Sequence, residues 1–191
     1  MFSRVFVSLA LFTAVLAAPV KFVARQNPCF VVGNVALPAE VADSLAGLSG
    51  VTCSRNSDVA FGVPDVVSGG ISFSSIDFRN SGKSPVGFAL QAFAIPDDPA
   101  QADVAKLQNQ LNVYLAVEAG LRSVDGTKAL LGQLKGAKFF AQFQMARINT
   151  ANGVRLGVAD TVEHQLGKVL KNAAGASAAE KAEVQRLSTL V

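Results

Sequence analysis

The chain has 191 residues, 50% of them hydrophobic, with one histidine, two cysteines, one tyrosine and no tryptophan. Its 17 basic and 14 acidic side chains are scattered along the sequence, which excludes the clustered basic footprint of a nucleic-acid binder. Zinc sites need histidine and cysteine clusters that are absent, and the dearth of tryptophan and tyrosine removes the aromatic platforms of sugar readers and interface hot spots.

Met1 to Arg4 form a short n-region with one positive charge, and Val5 to Leu16 is an apolar run long enough for a signal h-region but too short to span a bilayer. Cleavage after Ala17 is favoured, because a cut after Ala18 would put Pro19 directly behind the scissile bond. The expected organisation is a signal peptide at 1–17, a propeptide at 18–25 if a second cut follows Arg25, and a single globular domain at 26–191. Later apolar stretches are interrupted by charges and glycines, so no membrane span is expected and the mature chain reads as soluble, secreted and extracellular. In that oxidising compartment Cys29 and Cys53 pair most simply with each other. The loop they close is worth about 3–4 kcal/mol in the chain-entropy model. No asparagine stands in a glycosylation frame.

In chain order, Leu37 to Leu48 carries apolar residues at Leu37, Val41, Leu45 and Leu48 behind Pro38, which predicts a short amphipathic helix flanked by the cysteines. From Val59 to Ile95 aliphatic residues and phenylalanines alternate with glycine, serine and asparagine. Ile71 to Phe73 and Ile76 to Phe78 read as strand, Asn80 to Lys83 as a turn, and Val86 to Ile95 as the returning strand of a hairpin. Asp97 and Asp98 then offer an N-cap with Pro99 at the first helical position, opening the longest helix, Ala100 to Arg122. Further helices are predicted over Thr127 to Leu134, Ala137 to Ile148, Asp160 to Asn172 and Ser177 to Leu190. The expected class is α+β: a mostly helical, bundle-like domain with a small antiparallel β-sheet in the first half.

Candidate chemistry is sparse. His164 falls on the solvent side of its helix with Lys168 and Lys171, beside Glu163, and reads as an exposed histidine rather than a general base. Glu118 is more unusual, because it lies on the apolar stripe of the longest helix with Leu107, Leu111 and Leu115. A carboxylate there must be paired, raised in pKa or at the core boundary, and its sharper reading is a carboxylate lining a cleft. Asp97, Asp98 and Asp103 lack the spacing of a calcium loop, so no metal is expected. No glycine-flanked serine elbow, phosphate loop or dinucleotide fingerprint is present, and neither catalytic residues nor a cofactor are implied. Phe139, Phe140, Phe143 and Met145 concentrate aromatic and flexible apolar side chains on one helix; core packing is their ordinary role, and lining a pocket for an apolar ligand is the functional alternative.

The signal Met1 to Ala17, the Val-Ala-Arg-Gln junction at Val23 to Gln26, the cysteine pair and the Phe-rich helix resemble the small secreted proteins of filamentous fungi. That resemblance implies an effector-like role outside the cell, toward a host, a substrate surface or the organism's own wall. It carries no functional residues with it. Three readings are open. The leading one is a non-enzymatic interaction protein whose partner is an extracellular protein or matrix component; the others are a carrier of a small apolar ligand, and a glycan or ester hydrolase working through dispersed carboxylates such as Glu118 and Asp77.

Overall fold

The computed structural model describes residues 27–191, so the predicted signal peptide and the junction at Arg25 lie outside the described residues. Cys29 and Cys53 form the expected disulfide. Between them lies α1 (Ala39–Ser44), which Pro38 opens and which tightens into a 3-10 turn over Leu45–Leu48, within the predicted bounds. Val41 and Leu48 are its buried contacts.

The sheet is antiparallel with strand order β1-β2-β3, comprising β1 (Thr52–Ala60), β2 (Val63–Ser68) and β3 (Ile71–Ser72). Sequence patterning does not reveal β1, because Thr-Cys-Ser-Arg-Asn-Ser-Asp is polar and largely exposed. The strand is held by its partner and by the disulfide rather than by burial. Cys53 pairs with Val66 and Asp58 with Pro64, so the residues between Cys53 and Asp58 bulge out of the ladder. Phe61 (φ 56°) and Gly62 (φ 76°) close the hairpin, both left-handed as a two-residue turn that follows the strand twist requires. A phenylalanine rarely adopts that conformation, and this one is exposed.

The predicted hairpin from Ile71 to Ile95 is corrected. Asp65 accepts hydrogen bonds from the Ser74 backbone N–H (3.1 Å) and hydroxyl (2.6 Å), which draws the chain out of β3 into a 3-10 turn. Asp77 caps a second such turn over Phe78–Ser81 by accepting from the Arg79 N–H. The apolar alternation therefore comes from two turns that drop Phe73 and Phe78 into the core, not from a strand. The segment predicted as the returning strand is α2 (Pro85–Ala92), with Ser84 as N-cap and Pro85 in the first turn. Val86, Gly87 and Ala89 are buried on it and Phe93 at its C-cap, and Val86, Ala89 and Phe93 keep a helical spacing that the β-branched and aromatic content had masked.

The longest helices form the centre. α3 (Val104–Arg122) starts later than predicted: Asp98 caps a 3-10 turn at Pro99–Gln101, and Asp103 caps the helix itself by accepting from the Lys106 N–H. α4 (Lys128–Ala151) is one continuous helix where two were expected. Gly136 lies in its middle, and a Cβ there would come within 3.0 Å of Pro85 and 3.2 Å of the Asn172 carbonyl, so glycine admits α2 and the chain after the next helix. α5 (Val162–Lys171) and α6 (Ala178–Leu187) match their predictions closely, the latter opened by a reciprocal capping box between Ser177 and Glu180. α4 packs on α2, α3 and α5, and the sheet covers α3 through β2. Tyr114 joins the layers: its ring meets Phe73 and Phe93 edge-on, and its hydroxyl donates to the Ile76 carbonyl at 2.8 Å. The class is α+β as predicted, with the small sheet in the first half.

Candidate functional site

Glu118 is carried into the interior by α3 and is only 2% exposed. Two cations meet it there. Arg122, one turn further along α3, donates from Nε and Nη2 to Oε1 at 3.1 and 2.9 Å. Lys138 crosses from α4 and places Nζ 2.6 Å from Oε2. Burial alone pushes the Glu118 carboxyl up, but Lys138 and Arg122 together outweigh it and hold the group below its ordinary value. Burial pushes Lys138 down, only partly offset by Glu118, since one carboxylate is shared between two cations.

The cluster floors a groove of about 250 Å³ between α1, α3, α4 and α5, with Glu40, Lys135 and Lys168 along its rim. Phe139 forms one wall, its ring facing Lys138 Nζ at 4.2 Å and Lys168 Nζ at 5.5 Å from the centroid. Arg122 and Lys135 are shared with a neighbouring groove of about 450 Å³ that Lys128 and Asp125 also line. Lys135 and Lys168 make no ion pair among the described residues. The outcome is a shallow surface on which cations outnumber carboxylates.

A carboxylate with a cation on each oxygen is ionised and pinned, so Glu118 has no proton to donate as a general acid. Asp77, the other carboxylate of the hydrolase reading, is separately engaged by the Arg79 guanidinium and backbone N–H. No hydrogen bond or ion pair connects the two carboxylates among the described residues. His164 is exposed on α5, where its backbone N–H donates to the Thr161 hydroxyl. Among the described residues no group of three or more histidine, cysteine or acidic side chains is placed to hold a metal.

The helical period separates the four apolar residues singled out on α4. Phe140 and Phe143 are fully buried and pack on each other in the core. Phe139 is half-buried on the basic groove, and Met145 lines a different groove. They do not share one wall. Of the functional residues that sequence reasoning missed, Arg122 carried a signal, the Glu-to-Arg spacing of one helical turn. Lys138 carried none, because its partner lies on another helix.

The family model described as a domain of unknown function (DUF7143) matches residues 31–191. The chain belongs to this family. The match begins just after Cys29 and takes in every element described above, so the paired Glu118 and the basic groove lie within the family's domain. No curated protein and no solved structure matches the chain.

Proposed function

We propose that this member of the DUF7143 family is a secreted, non-enzymatic interaction protein that holds an anionic extracellular protein or matrix component on the basic face of α3, α4 and α5. The observation that carries the reading is the surplus of cations at the groove: Glu118 satisfies Lys138 and Arg122, while Lys135 and Lys168 stand on the rim with no ion pair among the described residues. Such a surface recruits a partner of opposite charge and steers its approach. A role outside the cell rests on the signal-like segment Met1 to Ala17, on the disulfide and on the resemblance to small secreted fungal proteins.

The test is a pull-down from extracellular extract with the disulfide-intact mature protein, the Lys135→Glu/Lys168→Glu variant and a heat-denatured control, washed at increasing salt. A partner retained by the parent, released by salt and absent from the charge-reversed variant supports the reading. A partner captured equally by both proteins overturns the groove as the docking face. Mass spectrometry of the secreted chain's N-terminus tests export, with Ala18 or Gln26 as the expected first residue.

A further inference from the structure

A second groove, of about 270 Å³, lies further along α4, between the first half of α3, the last half of α4 and the start of α5. Gln142 is common to it and to the basic groove. Its chemistry differs from its neighbour's, since no lysine, arginine or histidine among the described residues lines it.

Gln165 is 4% exposed, and its Nε2 donates to the Ala159 carbonyl at 2.8 Å, which fixes the amide orientation. Its Oε1 is left as a buried acceptor with no donor among the described residues, and Gln142 Oε1 is a second such atom. The described residues hold no other buried side-chain polar atom without a partner, and both residues line this groove. An unmet buried acceptor costs about 1–3 kcal/mol, so two on residues of one groove call for a donor from beyond the described residues. Asp160 lines the same groove, makes no ion pair among the described residues and adds a negative charge. Leu111, Met145 and Leu156 supply aliphatic wall.

We infer that this groove binds a small aliphatic primary amine, its ammonium group donating to Gln142 Oε1, Gln165 Oε1 and Asp160 while its chain lies against Leu111, Met145 and Leu156. An ammonium carries three N–H donors and a positive charge, which matches two carboxamide oxygens and a carboxylate. An alcohol offers one donor and no charge, and an anion is repelled by the Asp160 carboxylate. At roughly 30 Å³ per water the space exceeds what one bridging water fills. The inference goes beyond the anionic-partner reading and stands on different residues, Gln142 alone being shared.

The experiment titrates the mature, disulfide-intact protein with n-pentylamine and 1,5-diaminopentane, using 1-pentanol as the neutral counterpart. Heat of binding and the side-chain carboxamide NMR signals of Gln142 and Gln165 are followed. The expected result is saturable amine binding with both carboxamides shifted, at least tenfold weaker binding of pentanol, and about tenfold weaker amine binding by Asp160→Asn. Gln165→Leu also breaks the bond to Ala159, so Gln142→Leu and Asp160→Asn serve as the folded variants, verified by unchanged thermal unfolding. Absence of saturable amine binding, equal binding of pentanol, or amine binding unchanged in both variants overturns the inference. So does a high-resolution structure grown with the amine in which water alone meets both oxygens.

Discussion

Two buried cations on α4 are held in opposite ways. Lys138 faces a carboxylate, with Glu118 Oε2 at 2.6 Å, and sits at the floor of an open groove. Arg147, 0% exposed, meets no carboxylate among the described residues: Nε and Nη2 donate to the Leu190 carbonyl at 3.0 and 2.9 Å, and Nη1 to Gln144 Oε1 at 2.6 Å. Gln144 in turn donates to the Phe93 carbonyl at 3.0 Å, so a chain of polar contacts links the end of α2, α4 and the stretch after α6. Burial lowers the pKa of Arg147 as it does that of Lys138, yet a guanidinium stays charged where an ammonium can shed its proton. Arg147 therefore works as a clasp built on carbonyl dipoles, whereas the Lys138 site is an ionic arrangement that can respond to pH.

The largest expected effect is at the clasp. Arg147→Met should cost about 3–4 kcal/mol in urea denaturation, because the Leu190 carbonyl and Gln144 Oε1 lose their donors inside the core. Arg147→Lys keeps the charge but cannot reproduce the forked geometry, and should cost roughly 2 kcal/mol. If Arg147→Lys proves neutral, the clasp depends on charge rather than on the guanidinium fork.

Glu118→Gln should cost about 2–3 kcal/mol near neutral pH, since two cations are left facing a neutral amide. The loss should shrink at pH 9, because Lys138 is then depressed further below its unfolded value and the folded state prefers it neutral. Between the folded and unfolded pKa values the unfolded chain binds the extra proton, so stability rises with pH. The cost of Arg147→Met should stay constant over the same range. Equal pH dependence in both variants would erase the distinction between the two sites.

On the acid side the sign runs through Glu118 itself. Its folded pKa lies below the ordinary 4.5, so its contribution is complete above that value and is lost as pH falls through the folded pKa. The difference in stability between parent and Glu118→Gln should therefore narrow below about pH 4.5, as followed by denaturation at successive pH values. The smallest effect expected is a rescue: adding Lys138→Met to Glu118→Gln should recover about 1 kcal/mol over the single variant, by replacing a stranded cation with an apolar side chain.

Part of this site was legible in the sequence. Glu118 stands out as a carboxylate on an apolar stripe, and its pairing was one of the outcomes that position demanded. The identity of its second partner was not readable, because Lys138 reaches it across the contact between α3 and α4. The Phe-rich segment was visible as apolar content, but Phe139 parts from Phe140 and Phe143 only once α4 is packed on its neighbours. Arg147 in the same segment reads as an ordinary polar position, and nothing local marks it as fully buried.

By itself the sequence determined the helices whose period and end signals lie within one or two turns, namely α1, α3, α5 and α6, together with the pairing of the two cysteines. Tertiary structure alone decided that polar β1 is a strand, that α2 is a helix, that α4 runs unbroken and that Glu118 and Lys138 meet. Capping and amphipathic spacing act over about four residues, so the local chain displays them. Strand pairing, burial and the partner of a buried charge are set by elements distant in sequence, and exist only after those elements have packed.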